Sequence, residues 1–196
     1  MRMHRRLLRS ARVFFACLLG MSVIVLLRTG YAEARIYPST YFHTFSPESA
    51  LPPPVRLRIP RLRMDAPVLP MGFASDGQMD APAHADDVGW FAPGIFPGDM
   101  GSAVFSGHLD TFLGTRGVFS GLKTLSAHDD VYVDVASGET LHFRVIESRT
   151  YPYDHAPLDA IFGASGRRFL NLITCSGSWG AGTYDDRLVV FTERIE

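Results

Sequence analysis

An all-β barrel or sandwich over residues 55–196 is the fold this sequence predicts, on three observations. Short apolar runs alternate with polar residues at the period of a strand, turn residues punctuate them repeatedly, and little of the chain carries a helical period. The 196 residues, 46% of them apolar, suffice for one domain with a core and exclude a mostly disordered chain. Two cysteines exclude a disulfide framework and a cysteine-ligated structural zinc site.

Residues 1–34 are a signal or anchor segment. Arg2, Arg5, Arg6, Arg9 and Arg12 precede Val13 to Leu27, fifteen residues without a charge, and Arg28 follows. As a helix this run spans about 22 Å against roughly 30 Å of hydrocarbon, a shortfall that arginine snorkelling at both ends offsets. Ala32-Glu33-Ala34 is also a small-x-small cleavage site, so a removed signal peptide is the alternative to the favoured anchor through residues 13–27. Either way the arginine-rich flank is expected in the cytoplasm and the rest of the chain outside it. The same division explains the net charge of −1. Residues 1–28 hold six arginines and no acid, leaving 13 basic against 20 acidic groups beyond, a net of −7. So acidic a body carries no electrostatic footprint for nucleic acid.

Residues 35–54 form a proline-rich linker, in which Pro38, Pro47 and Pro52-Pro53-Pro54 favour a semi-extended spacer. Val55, Leu57 and Ile59 then alternate with Arg56 and Arg58 as a first strand, and Ala66 to Met71 offers a second despite Pro67 and Pro70. Ala74 to Met100 reads as loop, and Gly101 to Ser106 as an apolar strand that ends at Gly107-His108. Val118 to Leu125 is a candidate short helix. Val131, Val133 and Val135, with Leu141, Phe143 and Val145, mark the inward face of a hairpin that turns at Ser137-Gly138. Pro157 to Phe162 makes a helical turn or two, and Phe169 to Cys175 and Leu188 to Ile195 are the last two strands.

Reactive side chains collect where these strands end: His108 after one, Cys175 closing another, Arg187 opening the last. A rigid sheet can present side chains from such positions. Cys17 lies in the apolar segment and cannot pair with Cys175, so Cys175 is a lone thiol in an exported domain, where oxidising conditions make unpaired thiols a liability. A thiolate attacking an amide needs a cationic neighbour, and the leaving amine needs a proton, which an imidazolium supplies near neutral pH. The tetrahedral oxygen needs fixed donors, and a guanidinium offers a planar fork of them. Cys175 as nucleophile, His108 as general acid and base and Arg187 as oxyanion or substrate stabiliser fill the three roles. Asp110 is either an orienter of His108 or a turn former.

Gly107-His108-Leu109-Asp110, Leu172-Ile173-Thr174-Cys175 and Arg187-Leu188-Val189-Val190, in this order and spacing, resemble the signature of sortases, the cysteine transpeptidases of Gram-positive surfaces. Gly89-Trp90-Phe91, Pro97-Gly98 and Val118-Phe119 with Leu122 and Leu125 add to the resemblance, which covers residues 55–196. Thr174-Cys175-Ser176-Gly177 and Tyr184-x-Asp186 are most similar to the class F branch, although Asp185-Asp186-Arg187 departs from the Arg that often precedes Asp-Asn there. Arg187 directly before Leu-Val-Val matches the broader family.

The resemblance implies a closed eight-stranded β-barrel with one or two short helices, and His108, Cys175 and Arg187 in one groove. It implies cleavage of a Leu-Pro-x-Thr-Gly-like sorting signal of secreted proteins through a thioacyl enzyme, followed by transfer to an amine, typically from a cell-wall precursor. Histidine and cysteine are then expected in opposite protonation states rather than as a tight relay. No cofactor is implied. Asp76, Asp80, Asp86 and Asp87 do not have the spacing of a compact oxygen-ligand loop, so no metal is expected. Asp110, Thr174, Trp179 and Tyr184 are the candidate substrate contacts, with Trp90 and Phe112 near the same segments, and Gly177 to Thr183 is the candidate specificity loop. With neither a second apolar span before Glu196 nor a lid segment, a pilin-polymerising type is disfavoured.

Other classes stay in view. An L,D-transpeptidase would show Gly-Cys with Arg two residues later, and a Cys-His cell-wall peptidase would place its cysteine before its histidine. In a non-enzymatic anchored β-barrel module Cys175 would be structural and Arg187 part of an ion network with Asp185 and Asp186.

Overall fold

Eight strands, β1 (Pro54–Ile59), β2 (Met64–Met71), β3 (Val88–Phe91), β4 (Gly101–Gly107), β5 (Asp130–Val135), β6 (Thr140–Pro152), β7 (Arg168–Gly180) and β8 (Thr183–Arg194), close on themselves in the order β1-β2-β3-β4-β7-β8-β6-β5. The computed structural model describes residues 52–75, 77–111, 113–180 and 182–195. The expected anchor through residues 13–27 and nearly all of the 35–54 linker lie outside them.

The period of two sorts each strand into an inner and an outer face. Leu57 and Ile59 of β1, Ala103 and Phe105 of β4, and Val131, Val133 and Val135 of β5 point inward and are buried. Leu141, Phe143 and Val145 of β6, Leu170 and Leu172 of β7, and Leu188 and Val190 of β8 complete the interior. Closure leaves no free edge among these strands. At the seam, Arg58 donates from Nη2 and Nε to the two carboxylate oxygens of Asp134 at 2.8 and 3.0 Å, joining β1 to β5.

Part of the outer face is covered as well. A short helix, α1 (Leu158–Phe162), lays Ile161 and Phe162 over Val104, Ile173, Val189 and Phe191 of β4, β7 and β8, with Phe91 at the border. The fully buried Asn171 pins it by donating from Nδ2 to the Ile161 carbonyl at 2.7 Å.

Three expectations need correction. The stretch 74–100 is not all loop: Val88–Phe91 is a strand parallel to β2, with Val68 opposite Val88. All four of its residues are buried, so no alternation marks it. The candidate helix at Val118 to Leu125 is only a 3-10 turn, Leu122–Thr124. Its start is held instead by the Phe119 N–H, which donates to the His108 carbonyl at 2.9 Å, while Phe119 and Leu122 fill the barrel end. Finally, β7 and β8 run well past Cys175 and Arg187 to a tight turn between Gly180 and Thr183.

The registers give the barrel a polarity. β1 begins and β8 ends at the end where β4 and β7 start, whereas β4 and β7 run toward the opposite end. Six residue steps along β7 lead from Phe169, opposite Glu193, to Cys175, opposite Arg187, roughly 20 Å of strand.

Candidate active site

Register and parity bring the three candidate residues together. Ser106 lies opposite Ile173 in the parallel β4–β7 pair, so one further repeat puts His108 level with Cys175. Cys175 in turn lies directly opposite Arg187. Since Phe105, Leu172, Thr174 and Leu188 face inward, His108, Cys175 and Arg187 fall on the outer face of three adjacent strands. They stand at the end of the barrel beyond the part that α1 covers.

His108 is fixed from two sides. Its carbonyl accepts from Phe119 and that of Leu109 from Gly117, both at 2.9 Å; the backbone of Asp110 pairs antiparallel with that of Arg116; and the Thr111 N–H donates to the Thr115 carbonyl at 2.8 Å. Residues 108–119 are thus a small hairpin. Gly117 is required there, because a Cβ would run into the His108 carbonyl. On the other side the imidazole Nε2 is 2.8 Å from the Pro82 carbonyl. A carbonyl can only accept, so Nε2 carries a hydrogen in either protonation state and Nδ1 is the nitrogen that gains and loses a proton. The approach of Pro82 depends on Gly89: a Cβ there would lie 3.2 Å from Pro82 Cδ, 2.9 Å from Ser106 Oγ and 2.6 Å from Met71 Cγ.

Cys175 and His108 open into one cavity of about 430 Å³, which Leu109, Asp110, Trp179 and Tyr184 also line. Just past Cys175, Gly177 and Ser178 stand against the single residue Asp185, a β-bulge with Gly177 at φ +82° and the Ser178 N–H donating to Asp185 Oδ1 at 2.6 Å. The segment expected as a specificity loop is therefore a bulged hairpin. It carries Trp179, 62% exposed, edge-on against Tyr184 at 5.2 Å. The Tyr184 hydroxyl donates to Asp110 Oδ2 across the cavity. That bond, then burial, then the nearby charges of Asp110 and Cys175 push the phenol above its ordinary pKa, so it stays a donor throughout the neutral range.

Asp110, Trp179 and Tyr184 thus sit with Cys175, while Thr174 does not. Thr174 is 3% exposed, faces the barrel interior and donates from Oγ1 to the Gly107 carbonyl at 2.8 Å, tying β7 to β4 beside the two candidate catalytic residues. Its placement as a substrate contact is corrected to one inside the sheet. Asp110 makes no hydrogen bond to His108 among the described residues; its Oδ2 accepts from Tyr184, and the imidazole Nε2 is on the Pro82 carbonyl. Trp90 belongs to the core, ring against Phe96, and Phe112 lies outside the described residues.

Arg187 is opposite Cys175 by backbone, but its guanidinium does not line the cavity. Nη1 donates to the carbonyls of Tyr184 and Asp186 at 3.1 and 2.9 Å, and the group sits 5.7 Å from the centre of the Tyr153 ring. Arg168 opens β7 at its far end, and Arg167 precedes it. Among the described residues no three His, Cys, Asp or Glu side chains are grouped as metal ligands would be. Sequence reasoning missed Pro82, which acts through a backbone carbonyl and so leaves no side-chain signal.

A family model described as a sortase domain matches residues 57–195. Sortase C-1 from Actinomyces oris has a similar structure, with a TM-score of 0.57 and 24% identity over 72% of this chain and 71% of that one. Sortase A from Corynebacterium diphtheriae gives 0.57 and 22%, covering 76% and 63% of the two chains, and sortase C1 from Streptococcus agalactiae gives 0.57 and 24%, covering 72% and 67%. At these identities the likeness is one of fold. No curated protein matches by sequence.

Proposed function

The chain belongs to the sortase family of cysteine transpeptidases, and from that premise we propose that Cys175 cleaves a Leu-Pro-x-Thr-Gly-like sorting signal and passes the acyl group to an amine. The observation that carries this reading is the meeting of Cys175 and His108 in one cavity on the outer face of the barrel.

The Cys175 thiolate attacks the carbonyl carbon of the residue before the scissile bond. Negative charge moves to the carbonyl oxygen, and Arg187, one strand away, supplies donors to it once its guanidinium turns from its present contacts into the cavity. That turn exchanges the Nη1 hydrogen bonds to the Tyr184 and Asp186 carbonyls for ones to the substrate oxygen. As the C–N bond breaks, the amine leaves with the proton from His108 Nδ1, and a thioester remains. The accepting amine, from a cell-wall precursor, attacks that thioester, gives its proton to Nδ1 and expels the thiolate. Nε2–H stays on the Pro82 carbonyl throughout, so the ring needs no reorientation between the two half-reactions.

In this reading residues 13–27 hold the protein in the membrane with the barrel outside the cytoplasm, where its clients are secreted proteins anchored to the surface. Thr174-Cys175-Ser176-Gly177 and Tyr184-x-Asp186 support a place in class F. The test is the full chain with a panel of quenched sorting-motif peptides, with and without an amine acceptor. Cleavage and amide product are expected from at least one peptide, none from Cys175→Ala, and a kcat lowered by about 10²-fold in Arg187→Ala. Turnover by Cys175→Ala, or no product from any peptide, refutes the reading.

A further inference from the structure

We propose that Asp110 and Tyr184 form a clasp that fixes the width of the groove over Cys175 and so determines which peptides reach it. The inference deepens the transpeptidase reading and rests on it for its substrate. The two residues belong to different walls: Asp110 to the hairpin 108–119, Tyr184 to the part of the β7–β8 hairpin beyond the bulge. They are 74 residues apart in sequence, and among the described residues no other side-chain hydrogen bond joins these walls. Among the described residues, the hairpin has little else to hold its outer part. Leu113 to Arg116 are exposed, Leu113 by 86%, and the turn is closed by its own threonines, Thr111 and Thr115. A segment with so few buried contacts opens at low free energy unless something anchors it.

The clasp also sets an aromatic group at the rim. Tyr184 bonds to Asp110 through its hydroxyl and meets Trp179 with its ring, so the position of the exposed indole follows from that of the carboxylate. All three side chains line the cavity that holds the thiol. At about 430 Å³ this cavity is near the small end of the ~300–1,000 Å³ range of ligand sites, where a change in wall spacing alters what fits. The bond is charge-assisted, donor phenol to acceptor carboxylate, which makes it the stronger kind of hydrogen bond.

The test uses the full chain carrying Cys17→Ser, so that Cys175 is the thiol that reacts, and compares Tyr184→Phe, Asp110→Ala, the double variant and Asp110→Asn. Alkylation of Cys175 is measured with iodoacetamide and with a bulky fluorescein iodoacetamide, and KM and kcat with the cleaved peptide. Tyr184→Phe keeps the ring on Trp179 and loses only the bond. It should raise the bulky-to-small rate ratio and the peptide KM by roughly three- to tenfold, the range one hydrogen bond carries, with kcat within about twofold. The double variant should be no worse than the larger single effect, and Asp110→Asn, which keeps an acceptor, should recover most of it. An unchanged ratio, equal change for both reagents, or additive single effects would overturn the clasp. If the ratio shifts while the wild type cleaves no peptide, the clasp stands and the transpeptidase reading falls.

Discussion

Substituting Gly89 by alanine tests the chain of contacts that runs from the sheet to the imidazole. The new methyl would lie 2.6 Å from Met71 Cγ, 2.9 Å from Ser106 Oγ and 3.2 Å from Pro82 Cδ. Carbon–carbon contacts are comfortable at about 3.5–4.0 Å, so the shortfall is roughly 1 Å at Met71 and a few tenths of an ångström at Pro82. Ser106 can yield by rotating its hydroxyl, which makes no hydrogen bond among the described residues. Met71 is less free, because its own carbonyl accepts from Ala92 at 3.0 Å and its backbone pairs with Phe91. The proline ring can yield only by carrying its carbonyl away from His108. Overpacking of this kind costs about 1–3 kcal/mol, which for a domain of this size lowers Tm by roughly 2–12 °C. Thermal denaturation reads the first effect, and nitrogen-15 spectra of neutral His108 read the second: wild type should show hydrogen on Nε2, and Gly89→Ala a mixture of tautomers. Adding Met71→Ala should recover part of the stability, since that contact is the tightest, with a non-additive energy. Wild-type Tm together with an undisturbed Nε2–H would refute the argument that Gly89 is what lets Pro82 reach the histidine.

Two further outcomes follow from contacts away from the thiol. Thr174→Val leaves the Gly107 carbonyl without its 2.8 Å donor and should cost about 1–3 kcal/mol in urea denaturation, with Thr174→Ser close to wild type; equal stability of the valine variant would show that the carbonyl finds another partner. The Asp134 carboxyl is held below its ordinary range chiefly by the hydrogen bond from Arg58, with Thr140 adding to this and burial opposing it. A depressed folded-state pKa means that the stabilisation is complete above the unfolded value, near pH 4, and is lost as pH falls through the depressed one. Arg58→Met should therefore cost about 1 kcal/mol at pH 7, a figure discounted for the 39% exposure of the arginine side chain, and converge on wild type once the pH falls below the depressed value. A difference that persists unchanged into acid would assign the effect to packing.

How much of the molecule the sequence disclosed depends on the kind of contact. Val131, Val133 and Val135 against Leu141, Phe143 and Val145 could be read directly, because one buried face imposes a period of two. Val88–Phe91 could not, since a parallel strand buried on both sides keeps no such pattern and its flanking Gly, Pro and Asp residues look like loop. The spacing of Val118, Phe119, Leu122 and Leu125 fits a helix, yet the hydrogen bond from Phe119 to His108 draws the start of the segment into the neighbouring hairpin. Near the thiol, residue types and strand ends pointed to Cys175, His108 and Arg187. What escaped was everything that acts through distance in sequence or through the main chain: the carbonyl of Pro82, the hydroxyl of Tyr184 on Asp110, and the inward turn of Thr174. Gly177 and Ser178 read as loop because the bulge that extends the strand is completed by Asp185, seven residues beyond Ser178.

The polarity of the barrel has a practical side. Because β1 begins and β8 ends at the end away from the groove, a fusion partner joined there, a purification tag or a bead coupled through either end of the barrel leaves Cys175 facing the solution. Mounted in this way, the barrel would present its groove to large molecules without the support standing in their path.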